Sequence, residues 1–134
     1  MGSATKTYQI ELTSIGSTVG EFKEGKINIG CDRGYLVGLR VYCSDTDGGL
    51  VQEYEVAVWK VNRAHLWDPE DAECILWADE ISLTDDDLMY GWSGRLYFEV
   101  GSGLSNQLLV AVARTAGTAL NDDYLIELDV EVDP

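Results

Sequence analysis

Carboxylates are the side chains in this sequence whose spacing could do chemistry. Asp45 and Asp47 stand one residue apart before two glycines, in the sequence DTDGG, and oxygen ligands at such a spacing can bind calcium. The twelve-residue calcium loop also needs a bidentate glutamate at its last position, where this chain has Val56. A glycine-containing hairpin turn accounts for the same residues, so we expect a turn and no metal site, with calcium as the alternative.

Groups suited to nucleophilic or acid-base catalysis are sparse. His65 is the single histidine of the sequence, so a serine triad has only one candidate base. In the sequence GWSGR, Gly94 follows Ser93 directly, which is not the spacing of a nucleophile elbow. Two carboxylates could act on a glycosidic bond, but among 24 acids such a pair occurs on any surface. We expect no catalytic residue, no cofactor and no enzyme activity.

Three aromatic residues are the candidate interface or ligand contacts. Trp67, Tyr90 and Trp92 fall in predicted loops, where a large aromatic side chain is costly to leave in water. They can cap the open ends of the fold, anchor a neighbouring subunit, or stack on a sugar ring. We rank these roles in that order.

The three cysteines lack the CxxC spacing of a metal site. The sequence INIGCDRGYLVGL predicts a hairpin that turns at residues 32–34. Cys31 would then lie at the turn and Cys43 roughly 25 Å away along the returning strand, which is beyond the reach of a disulfide. We expect free thiols that pack as small apolar groups.

The elements that must position these residues are strands almost throughout. In the terminal segment YLIELDVEVD, Ile126, Leu128 and Val130 alternate with carboxylates, which predicts a strand with one buried and one acidic face. The segment 52–62 is apolar on both faces, which predicts a central strand covered on both sides, or one with a face at a subunit contact. Asp68 and Pro69 predict a short helical turn within 63–72, and the segment 84–94 is predicted as a loop.

Seven or eight strands at even spacing indicate an all-β fold, an antiparallel β-sandwich. We favour a jelly roll over an immunoglobulin-like sandwich because the immunoglobulin Cys, Trp, Cys signature is missing. With 134 residues, the chain is expected to form one domain over residues 1–134.

Charge is the strongest compositional signal. The chain has 24 acidic and nine basic residues and a formal net charge of -15, which argues against nucleic acid as a partner. No segment has the apolar length of a signal peptide or of a membrane helix, so we expect no membrane insertion. The acidity is typical of proteins from salt-loving archaea and their viruses, and equally of an ordinary acidic protein, and both interpretations stay open.

In its overall character, the chain resembles the small sandwich proteins that build or decorate virus capsids, including those of haloarchaeal viruses. The resemblance implies a structural virion protein, a capsid subunit or decoration protein that acts by homo-oligomeric assembly, for example as a trimer, and contacts other capsid proteins. The strand over 56–61 or the loop over 90–92 would meet a neighbour. The alternative function is a glycan-binding module, with a hydrolase as a third hypothesis, and the alternative to the virion as location is the cytoplasm.

Overall fold

A computed structural model describes residues 5–15, 22–43, 52–60, 74–83, 89–100, 107–116 and 122–132. Within these ranges the chain forms eight strands and no helix. They are β1 (Thr5–Ile15), β2 (Phe22–Asn28), β3 (Arg33–Cys43), β4 (Gln52–Lys60), β5 (Cys74–Leu83), β6 (Met89–Glu99), β7 (Gln107–Ala116) and β8 (Asp122–Val132).

The strands form two four-stranded sheets. The first sheet has the order β1, β8, β3, β6, and the second has the order β2, β7, β4, β5. Every pairing between described strands is antiparallel, so the predicted antiparallel sandwich is confirmed. In an immunoglobulin sandwich the first two strands share a sheet, whereas here β1 and β2 lie in different sheets.

The core lies between the two sheets and is filled by alternate residues of each strand. In β8, Ile126, Leu128 and Val130 are fully buried, as the alternating pattern predicts. Leu12 of β1 is buried with them, and Tyr8 and Ile10 pack against the same core. Burying an apolar side chain contributes about 1.5 to 3 kcal/mol, so a strand adopts the register that places its apolar face in the core. The alternating pattern therefore predicted these faces correctly.

Strand β4 is buried on both faces, as predicted for a central strand. Val56 and Val58 belong to the core between the sheets. On the opposite face, Ala57 and Trp59 belong to a second buried cluster with residues of β7. Trp59 is only 1% exposed within the single chain, so it offers no surface to a neighbouring subunit.

The predicted hairpin at residues 32–34 is wrong. β2 and β3 lie in opposite sheets, so the chain crosses between the sheets where a tight turn was expected. Gly30 adopts a φ of 68° in this crossing, and its N–H donates to Oδ1 of Asn28 at 3.0 Å. The prediction failed because two consecutive amphipathic strands have the same sequence pattern in both arrangements. They can pair side by side in one sheet, or they can pack face to face from two sheets. Cys31 precedes β3 and Cys43 is its last residue, so the two cysteines still lie at opposite ends of this strand.

Cys31 and Cys74 are free thiols that pack against the two apolar clusters. Several other expectations fall outside the described residues: the helical turn within 63–72, the Asp45 and Asp47 turn, His65 and Trp67. Among the residues that are described, no helix is long and apolar enough to cross a membrane.

Candidate functional site

Tyr90 and Trp92 lie in strand β6, which corrects the predicted loop over 84–94 for residues 89–94. Both side chains are half-buried and pack against the core between the sheets. Gly94 makes room for the Trp92 indole, since a Cβ added at Gly94 would lie 2.6 Å from the ring. The glycines that indicated a loop therefore belong to a strand in which a small residue accommodates an aromatic neighbour.

Two outward carboxylates of β8, those of Glu127 and Asp129, are bound by Arg40 of the adjacent strand β3. The guanidinium donates from Nε to Oε1 of Glu127 at 3.0 Å. It also donates from Nη1 and Nη2 to the two oxygens of Asp129, at 2.7 and 2.9 Å. This bidentate contact is the strong form of an arginine-carboxylate pair. The acidic stripe on the outer face of β8, formed by Glu127, Asp129 and Glu131, is therefore partly neutralised within the chain.

Strand β1 contributes to the same network from the other side of β8. The Thr7 hydroxyl donates to Oδ1 of Asp129 at 2.6 Å, and Nε2 of Gln9 donates to Oε2 of Glu127 at 2.6 Å. The Gln9 and Arg40 hydrogen bonds lower the pKa of Glu127, and the Arg40 hydrogen bonds lower the pKa of Asp129. Both groups are ionised at neutral pH, whereas a general acid requires a raised pKa.

A second cluster lies on the same outer face, where β3 meets the end strand β6. The guanidinium of Arg95 lies 3.9 Å from the centre of the Tyr35 ring and donates from Nη2 to Glu131 at 3.0 Å. The Tyr35 and Tyr97 rings meet edge to face with centroids 5.3 Å apart, and the Tyr97 hydroxyl donates to Glu99. We refer to Tyr35, Arg95 and Tyr97 as the tyrosine-arginine patch.

The tyrosine-arginine patch is exposed. Tyr97 is 48% exposed, and the Arg95 side chain is 59% exposed. Sequence reasoning missed these residues, although the signal is present: in RLYFEV, Arg95 and Tyr97 alternate with the inward Leu96 and Phe98. Arginine and tyrosine are enriched at interaction surfaces, so the patch is suited to binding.

At the opposite end of the first sheet, the edge of β1 carries a shallow surface depression of about 390 Å³. Its walls combine apolar and polar groups: Gln9, Ile10, Glu11 and Leu125. We refer to it as the β1 depression. The first sheet thus has an exposed aromatic residue at one edge and a depression at the other.

Two more large apolar side chains are exposed on end strands, Met89 on β6 and Trp77 on β5. No group of three or more His, Cys, Asp or Glu side chains within the described strands is arranged to hold a metal ion. The described surface therefore offers aromatic and charged groups for contacts, and its paired carboxylates are held as anions.

No protein-family model and no curated protein matches the sequence. Among solved structures, a chain of the cyanophage Pam1 capsid asymmetric unit matches with a TM-score of 0.50 and 15% identity, over 98% of this chain and 87% of that chain. A chain of the tomato aspermy virus structure matches with a TM-score of 0.48 and 8% identity, over 97% and 79% of the two chains. A family 35 carbohydrate-binding module from Clostridium thermocellum matches with a TM-score of 0.41 and 12% identity, over 92% and 90%. At 15% identity the cyanophage likeness shows a shared fold alone.

Proposed function

We propose that this chain is a structural virion protein, a capsid subunit or decoration protein that acts through homo-oligomeric assembly and without catalysis. The proposal rests on the order in which the strands pair. β1 pairs with β8, β2 with β7, β3 with β6 and β4 with β5, as in one long antiparallel hairpin rolled into a sandwich. We infer from this order that the fold is a jelly roll, the architecture of many capsid domains and also of lectins.

The likeness to the cyanophage capsid chain supports the same proposal at the level of the fold, since the match extends over nearly the whole of this chain. In this proposal the protein resides in the virion and contacts further copies of itself and other capsid proteins. The acidic composition fits a salt-loving host for such a virus, in which salt would screen repulsion between assembled copies, and it fits an ordinary acidic protein equally well.

The exposed side chains support assembly over catalysis. Tyr97, Met89 and Trp77 are 41 to 48% exposed and lie on end strands, where a neighbouring subunit can reach them. Large apolar groups at such positions are typical of contact surfaces. Glu127 and Asp129, by contrast, are bound to Arg40 as anions and lack the raised pKa of a proton donor.

The solution mass tests this function. Light scattering after gel filtration, at low and at molar salt, should give a trimer, a pentamer or a larger closed ring whose circular dichroism is rich in β-strand. A folded monomer at both salt concentrations, up to the highest concentration reached, would count against assembly.

A second candidate function is glycan binding, and the tyrosine-arginine patch is the observation that favours it. Tyr97 presents a half-exposed ring beside Arg95 and Glu99, and sugars are bound by aromatic stacking together with hydrogen bonds to charged groups. Tyr90 and Trp92 pack inward, so the site would differ from the one that the sequence predicts. Calorimetric titration with a panel of oligosaccharides should give binding that Tyr97→Ala abolishes, and an absence of heat across the panel would reject this function.

A further inference from the structure

We propose that copies of this chain bind head to tail through the two end strands of the first sheet. The tyrosine-arginine patch on β6 of one copy occupies the β1 depression of the next. The inference rests on the proposed function, because it names the contact through which that assembly forms.

The two surfaces match in shape and polarity. Tyr97 projects from β6 with about half of its surface exposed. The β1 depression, of about 390 Å³, has the apolar side chain of Leu125 in its wall, which suits an aromatic ring, whereas the Ile10 side chain packs inward on the core. Gln9 at its rim supplies an amide that can form hydrogen bonds with a tyrosine hydroxyl. A ring seated there would remove exposed apolar surface from water on both copies.

The two surfaces also carry one pair of opposite charges, Arg95 in the patch and Glu11 in the depression, although Glu131 and Glu99 are hydrogen-bonded to the patch. Arg95 uses Nη2 to bind Glu131, and a guanidinium carries five N–H donors in all. Glu11 is an exposed carboxylate in the wall of the β1 depression. Because each copy has a net charge of -15, copies repel one another at long range. An arginine of one copy against a glutamate of the next gives the contact a local attraction and a fixed register.

The placement of the two surfaces determines the kind of assembly. β1 and β6 are the opposite ends of one sheet, so the contact joins two different surfaces. Such a heterologous contact repeats from copy to copy and closes into a ring when the rotation permits, whereas a contact between identical edges would stop at a dimer. A second copy is therefore the occupant that accounts for both the patch and the depression.

A charge exchange tests the contact. Sedimentation velocity over a concentration series would compare the wild type with Arg95→Glu, Glu11→Arg and the double variant. Lys26→Glu is the matched control, since it reverses an exposed cation on β2 of the other sheet. We expect each single change to raise the concentration of half-assembly by about tenfold or more. The double variant should return to within about threefold of the wild type, and the control should match the wild type.

Folding is checked by circular dichroism, because Arg95→Glu also removes the ion pair with Glu131. If that variant does not fold, Glu11→Arg and Tyr97→Ser carry the test, and both should lose assembly while they stay folded.

A wild type that assembles, together with single variants that assemble equally well, would overturn this contact and leave the proposed function standing. Single variants that fail without rescue in the double variant would overturn the Arg95 and Glu11 pairing. A wild type that stays a folded monomer would overturn both proposals, and oligosaccharide binding through Tyr97 would then assign the patch to a glycan.

Discussion

Arg40 binds Glu127 and Asp129, two of the three carboxylates in the acidic stripe of β8. The pKa values of Glu127 and Asp129 are lowered by hydrogen bonds, from Gln9 and Arg40 for the first and chiefly from Arg40 for the second. A carboxylate with a lower pKa in the folded chain stabilises the fold at any pH above its unfolded pKa, which is about 4 for both residue types. That stabilisation is lost as the pH falls through the lower, folded pKa values.

We therefore expect Arg40→Gln to lower the free energy of unfolding at pH 7 by about 1 to 2 kcal/mol, because two half-buried carboxylates lose their cation. Urea denaturation in steps from about pH 7 to pH 2 should also show a smaller loss of stability in acid for this variant than for the wild type. Lys26→Gln removes the same charge from an exposed site on β2 and serves as control. An acid loss as large in Arg40→Gln as in the control would contradict the role of Arg40.

Strand β6 has two faces with different tasks. Trp92 packs inward on the core, whereas Tyr97 points outward from the same strand. We expect Trp92→Ala to lower the free energy of unfolding by about 2 to 3 kcal/mol, since it removes a half-buried indole, and to leave assembly of the folded protein unchanged. Tyr97→Ala should cost less than about 1 kcal/mol of stability, yet reduce assembly.

Urea denaturation and light scattering on both variants measure these two effects separately. Loss of assembly in a fully stable Trp92→Ala would instead favour a subunit contact, the second of the three roles that the sequence suggests for this residue. The two substitutions control for each other because both remove an aromatic ring from one strand.

The faces of single strands could be predicted from the sequence, and their partners could not. Alternation assigned the inward residues of β1 and β8 correctly because each strand has one apolar face. The segment over β2 and β3 gave a false hairpin, since alternation does not indicate in which sheet a strand lies. Composition likewise gave a loop at residues 89–94, where Gly94 in fact accommodates the Trp92 ring.

For the molecule as a whole, the sandwich could be predicted and its surfaces only in part. The acidic stripe of β8 was apparent from the sequence, but β8 is a central strand whose neighbours supply Arg40, Thr7 and Gln9. The tyrosine-arginine patch joins residues from β3 and β6 that are 60 positions apart at Tyr35 and Arg95. Such combinations depend on strand order, which no local pattern records.

The net charge of -15 leads to a prediction about salt. Repulsion between like charges opposes the compact state, and its range falls from about 30 Å at 10 mM salt to about 8 Å at 150 mM. The arginines on the outer face of the first sheet compensate only the carboxylates next to them, and acids such as Asp32 and Glu53 remain exposed.

We therefore expect the urea midpoint of unfolding to rise between about 10 and 150 mM potassium chloride. The double variant Asp32→Asn with Glu53→Gln should show a smaller rise, because it carries two fewer exposed charges and leaves the proposed contact intact. A wild-type midpoint that does not rise would contradict this prediction. A midpoint that continues to rise into molar salt would favour a salt-loving source, since at about 1 M the Debye length is only 3 Å and an ordinary acidic protein gains little more from screening.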